Sequence, residues 1–169
     1  LDAPGFVLSF YRSATTENGG SGHLAGVELA FSQTLEPFVE RWGLPDWAGG
    51  FGVRGNVTFN DTETETPDGR KVELPGSSDF IYNIALSYER YGLSTRLSWQ
   101  YRTEWIDGLG DGDVLGDTYW DEVGRLDFKA SYRFNRNAEV FLEANNLLRE
   151  PGIRYEGERF RVSEFEKFG

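Results

Sequence analysis

Residues 80–102 read FIYNIALSYERYGLSTRLSWQYR, and the fold is decided by this stretch. Phe80, Tyr82, Ile84, Leu86 and Tyr88 alternate with Asn83, Ala85, Ser87 and Glu89. Beyond Tyr91-Gly92, Leu93, Thr95, Leu97, Trp99 and Tyr101 alternate with Ser94, Arg96, Ser98, Gln100, Arg102 and Glu104. A period of two sends successive side chains to opposite faces of a strand. Tyr91-Gly92 is the kind of two-residue link that closes a tight hairpin. The stretch therefore predicts two antiparallel strands, Phe80–Arg90 and Leu93–Trp105, sharing one apolar face and one polar, charged face.

The same split recurs outward from this hairpin. It is clear from Arg125 to Phe134 and from Glu139 to Asn146, where Phe141 falls on the polar side, and weaker over Gly50–Asn60 and Ala25–Phe31. Phe6–Ser13 reads as an opening strand. Tyr91-Gly92 and Asn135-Arg136-Asn137 are short turns, whereas the links Ala14–His23, Asp61–Ser78, Ile106–Glu122 and Arg149–Ser163 exceed the roughly two to five residues of a hairpin loop. The Leu35–Gly49 link, with Pro37, Pro45, Trp42 and Trp47, belongs by parity to the short-turn end but is longer. Short turns at one end and long loops at the other describe the wall of an outer-membrane barrel.

The order of side chains along each apolar face agrees. Phe80, Tyr82 and Tyr88 enclose Ile84 and Leu86, and Phe51 and Phe59 enclose Val53 and Val57. Trp99 and Tyr101 stand at the loop end, and Tyr132 and Phe134 at the turn end. A bilayer places rings at its two interfaces and aliphatic side chains between them. Arg96, Arg102, Lys129, Arg133, Glu89 and Glu143 on the other face suit a water-filled lumen better than packing against a second sheet.

Composition narrows the alternatives. The chain has 169 residues, with 17 Lys+Arg against 28 Asp+Glu, a formal net charge of −11. No basic face is available to neutralise phosphates, so nucleic acid is not an expected partner. Cysteine is absent, which excludes a disulfide framework and thiolate chemistry, and no apolar run is long enough for a spanning helix. Methionine is also absent and Leu1 opens the sequence, so a translation start and any targeting segment are expected elsewhere.

No motif supports an enzyme. Ser21 and Ser77-Ser78-Asp79 lack a histidine partner, the single His23 reads as a loop residue, and the many carboxylates give any glycosidase-like pair little specificity. Asn56 and Asn60 fit a glycosylation pattern that a Thr-rich stretch yields by chance. The segment 107–121, DGLGDGDVLGDTYWD, is acidic and lacks the order of acids of a calcium-binding hand, so it reads as a solvated acidic loop with no metal or cofactor expected. Trp105, Tyr119 and Trp120 flank it. Aromatic rings among acids suit a sugar or a cationic or chelate ligand, while rings of the loop-side girdle would stand there too.

Several segments resemble the C-terminal barrel of TonB-dependent outer-membrane receptors, in the branch abundant in alphaproteobacteria and xanthomonads. GVELAFSQTL (26–35) resembles the family's strand after an extracellular loop, and GFGVRGNVTFNDTE (50–63) its next outgoing strand. LPGSSDFIYNIALSYERYGLSTRLSWQYR (74–102) is the most specific match. LDFKASYRFNRNAEVFLEANNLLREP (126–151) is similar to the penultimate hairpin with its Asn145-Asn146-Leu147 element, and Glu164–Gly169 to the start of the last strand.

The resemblance implies an all-β, antiparallel up-and-down transmembrane barrel, of which Leu1–Gly169 supplies about seven strands of the roughly 22 that close such a transporter around a plug. It implies that the plug, its TonB-contacting segment and the final strand lie outside these residues. It also implies a Gram-negative outer-membrane location, lipid, TonB and a small ligand as partners, and import of a scarce carbohydrate or siderophore without catalysis. Candidate ligand contacts near the extracellular mouth are Gln100, Arg102, Trp105, Tyr119, Trp120 and Asn145. A secreted, soluble, carbohydrate-binding β-sandwich is the competing class, and a self-sufficient eight-stranded barrel a third.

Overall fold

The computed structural model describes residues 22–110, 112 and 114–167; the expected strand Phe6–Ser13 lies outside them. Eleven strands follow in chain order: β1 (Gly22–Thr34), β2 (Phe51–Glu65), β3 (Lys71–Val72), β4 (Phe80–Arg90), β5 (Leu93–Arg102), β6 (Trp105–Gly108), β7 (Thr118–Trp120), β8 (Val123–Asn135), β9 (Ala138–Ala144), β10 (Gly152–Glu156) and β11 (Glu158–Glu166). They form two sheets. The wall has the order β1-β2-β4-β5-β8-β9, with β3 paired to the end of β2. A smaller loop sheet has the order β11-β10-β7-β6. All pairings are antiparallel.

Register turns the alternation of single strands into two continuous faces. Phe31, Gly55, Ile84, Trp99 and Leu126 lie in one row, and Val53, Leu86, Leu97, Phe128 and Ala144 in another. On the opposite face Ala30, Asn56, Asn83, Gln100 and Arg125 align. Asn83 donates to Asn56 at 3.2 Å, Asn56 donates to Glu28 at 3.3 Å, and Lys129 pairs with Glu143 at 2.7 Å. These groups satisfy one another across strands, as a hydrated face requires.

The apolar face is uncovered: Leu86 is 55% exposed, Leu142 61% and Phe31 54%. Among the described residues the buried apolar side chains are only Ala48, Ala85, Ile106 and Tyr155. A soluble sandwich would hide such a face against its second sheet. Rings mark both margins of the face. Phe59–Phe80 and Tyr82–Tyr101 pack with centroids 5.0 and 5.2 Å apart at the loop end, and Phe51–Tyr88 and Tyr132–Phe134 at 4.9 and 4.8 Å at the turn end. From Phe80 to Tyr88 the strand advances about 26 Å, or ~20 Å along the normal at a tilt of about 40°, near the ~25 Å apolar band of such barrels. Among the described residues no helix is long and apolar enough to cross a membrane.

Several boundaries differ from expectation. Tyr91 and Gly92 have φ of 55° and 80°, a type I′ turn, and a Cβ on Gly92 would stand 2.7 Å from the Arg133 carbonyl oxygen. Asn135 pairs with Ala138, so the other turn is Arg136-Asn137 alone, with an irregularity between Arg133 and Asn135. β5 ends at Arg102 and Trp105 passes into the loop sheet. β2 runs past Asn60 to Glu65, and His23, expected in a loop, lies in β1 opposite Glu63. These extensions are polar on both faces because they project beyond the apolar band, so period two is invisible there. The Leu35–Gly49 link holds two 3-10 turns and one turn of α-helix (Val39–Trp42). Both long links Ile106–Glu122 and Arg149–Ser163 carry strands, and Glu164 pairs with Arg154 in the loop sheet.

Candidate ligand site at the loop end

The loop sheet is held by charge pairs set around buried Ile106 and Tyr155. Asp117, with its side chain only 1% exposed, takes two hydrogen bonds from the Arg70 guanidinium, at 2.5 and 3.0 Å, and a third from the Gly110 amide at 2.8 Å. Its backbone oxygen accepts from Gly157 N–H at 2.8 Å. Through its carboxylate and its backbone oxygen, this one residue ties together the β2–β3 link, the acidic loop and the β10–β11 turn. Burial pushes the Asp117 carboxyl up, but the Arg70 and Gly110 hydrogen bonds outweigh it and hold the group below the usual Asp value.

A second cluster stands beside it. Tyr155 donates to Glu104 at 2.8 Å, and Arg159 reaches Glu104 at 2.7 Å and Asp121 at 3.3 Å. Burial and the Glu104 hydrogen bond push the Tyr155 phenol up to about 12. Tyr119 stacks on Tyr155 with centroids 5.3 Å apart, and Trp105 on Trp120 at 6.1 Å. The Arg102 guanidinium lies 3.5 Å from the Trp105 ring centroid while bonding Ser78 at 3.0 Å and the Gly76 carbonyl at 3.1 Å.

Between these clusters opens a cavity of about 460 Å³, lined among others by Arg70, Glu73, Glu104, Trp105, Asp117 and Tyr119. Burial, with Asp79 and Glu104 nearby, pushes the Glu73 carboxyl above its usual range. A smaller cavity of about 230 Å³ on the lumen side is lined by Asn83, Gln100, Arg102, Trp105 and Arg125. Trp105 borders both cavities.

A family model described as TonB dependent receptor-like, beta-barrel matches residues 2–147. The chain belongs to this family. No curated protein and no solved structure matches it. The uncovered apolar face is accordingly the lipid face of an outer-membrane receptor's barrel wall, and the sheet is an unclosed part of that wall.

Within this receptor wall, the structure joins Gln100, Arg102 and Trp105 around the lumen-side cavity, and Trp105 and Tyr119 around the larger one. Trp120 stacks behind Trp105. Asn145 is exposed just beyond β9 and lines neither cavity; its neighbour Asn146, with φ of 51°, is buried and bonds the Glu150 backbone in both directions. The acidic loop, expected to be merely solvated, is folded: Asp107 meets Arg154 at 2.5 Å, Asp117 meets Arg70 and Asp121 meets Arg159. Among the described residues no group of three or more potential ligands could hold a metal ion; Asp111 and Asp113 lie outside them. Arg70, Glu73, Glu104 and Tyr155 were not singled out in the sequence, where each is one charge or ring among many in polar links.

Proposed function

We propose that this chain is the C-terminal segment of the barrel of a TonB-dependent importer, and that its loop-end cavity contributes to binding a scarce carbohydrate before energy from TonB draws the ligand inward. The observation that carries the reading is the cavity between the Trp105 and Tyr119 rings and the carboxylates of Glu73 and Glu104. Flat rings beside hydrogen-bonding acids match the alternating apolar and hydroxylated faces of a sugar. Gln100 and Arg102 extend the path from that cavity toward the lumen, with Tyr119 and Trp120 supporting its rim. A plug and a TonB-contacting segment would be supplied by other parts of the same receptor.

Isothermal titration of the intact receptor against a panel of oligosaccharides and ferric chelates tests the reading. Trp105→Ala is expected to weaken sugar binding about tenfold, because it removes the ring that borders both cavities and holds Arg102 against it, and removal of TonB to abolish uptake while leaving binding. Unchanged sugar affinity in Trp105→Ala, or binding confined to ferric chelates, would reject the ligand assignment.

A further inference from the structure

The Leu35–Gly50 segment at the turn end exposes two large rings. Trp42 is 58% exposed and stacks on Phe38 at 4.6 Å; Trp47 is 54% exposed and meets Phe51 edge-on at 6.1 Å. Phe51 in turn packs on Tyr88 at 4.9 Å. Trp47 therefore continues the row of rings that ends the lipid face, without a gap. Leu35, Phe51, Val53, Leu86, Leu97 and Phe128 line a groove of about 360 Å³ directly below, on that same face.

The segment is fixed to the wall. Asp46 pairs with Arg90 and accepts the Tyr91 hydroxyl hydrogen, clamping the segment to the β4–β5 turn. Ala48 and Gly49 are buried beneath it. A Cβ on Gly49 would stand 2.6 Å from an Arg90 guanidinium nitrogen, and one on Gly50 2.8 Å from the Tyr88 ring. Both glycines let the segment sit closely on the strand ends, so the rings are held in place rather than carried on a free loop.

We propose that Leu35–Gly50 is an interfacial anchor. It lies in the headgroup region of the periplasmic leaflet, with Trp47 and Trp42 at the level of the glycerol backbone and a phospholipid acyl chain seated in the groove beneath Leu35 and Phe51. Three features select lipid as the occupant: continuity with the established lipid face, an apolar groove opening on that face, and tryptophan, whose amphipathic ring favours this depth. A short periplasmic turn has no such reach. The segment converts what would be a plain connection into a fixed contact with the leaflet.

The test uses the intact receptor in phosphatidylcholine vesicles, with bromine placed at successive acyl positions as the quencher. Trp47→Cys and Trp42→Cys, each carrying an environment-sensitive label, are compared with a label at Arg136→Cys on the other turn; residues 1–169 hold no cysteine, and any elsewhere in the receptor is replaced by serine. Labels at 47 and 42 are expected to be quenched at least about twofold more by shallow bromolipid than the label at 136, and less by aqueous iodide. Equal quenching at all three sites, or iodide quenching at 47 and 42 matching that at 136, would overturn the proposal, the second outcome showing a water-facing surface for a periplasmic protein. Trp47→Phe, read through the bromolipid quenching of the 42 label, guards against misfolding of the cysteine variants: it should leave that quenching within the same range, and loss of quenching there as well would also count against anchoring.

Discussion

Asp117→Ala is the perturbation with the most to say about how the extracellular loops are held. The wild-type carboxylate is almost fully buried and receives Arg70 at two points and the Gly110 amide at a third. Truncation leaves a guanidinium whose side chain is 18% exposed without its counter-charge, and a backbone donor without an acceptor. Breaking a buried pair on one side costs about 3–5 kcal/mol, which the partial exposure of Arg70 reduces to about 2–4 kcal/mol. That loss should fall on the loop sheet and on the β2–β3 tip that carries Arg70, and not on the body of the wall, since the two sheets share no ladder. Amide hydrogen exchange is the assay. Protection of β7 and β10 should fall roughly 30- to 900-fold while β4 and β5 keep theirs. Arg70→Ala with Asp117→Ala should be milder than the sum of the two, with a coupling of about 1–3 kcal/mol. Unchanged exchange in β7 and β10, or strictly additive losses, would refute the view that this pair organises the loops. In wild type, Asp117 titrates below its ordinary value of 3.8, so its contribution is present above about pH 4 and is lost as the pH falls through the lower, folded value.

Two further expectations follow from the faces and from Tyr155. Leu86→Lys should cost about 2–4 kcal/mol of folding into lipid, whereas Ser87→Lys, one residue on but facing the lumen, should cost little; equal tolerance in a heat-dependent gel-shift assay of the intact receptor would contradict the assignment of faces. Tyr155, raised from 10.0 to about 12, should contribute fully to the loop sheet below pH 10 and lose that contribution between pH 10 and 12. Tyrosinate absorbance at alkaline pH, compared between wild type and Tyr155→Phe, reads this out, and a Tyr155 signal already complete near pH 10 would contradict it.

What the sequence disclosed depended on where each residue sits relative to the bilayer. The β4–β5 hairpin was legible up to Arg102, short of the expected Trp105, because its apolar and polar faces alternate without interruption and Tyr91-Gly92 adopts the left-handed conformations its turn requires. Gly22–His23 and Asp61–Glu65 were missed as strand because, above the lipid, both faces are polar and alternation carries no contrast. The loop sheet was hidden for a different reason. Its Arg70–Asp117 pair spans 47 positions, and nothing local distinguishes those two charges from their neighbours. Trp105 and Tyr119 were legible as rings beside an acidic loop, and the structure brings them to one cavity. Asn145 stands on the polar face near the loops, which made it a candidate, but the buried residue that bonds the backbone there is its neighbour Asn146. Prolines at 37 and 45 marked Leu35–Gly49 as a break in the strands, but not the compact turns it makes.

The two sheets also differ in when they can form. Each of β4, β5, β8 and β9 pairs with a strand that precedes it closely in the wall order, so the wall can grow one strand at a time as the chain is delivered. The loop sheet instead requires β6, β7, β10 and β11 together, and β10 and β11 reach it only after β8 and β9 have been laid down. Assembly of this receptor segment is therefore expected to end with the loop sheet, which closes over a wall whose strands are already paired.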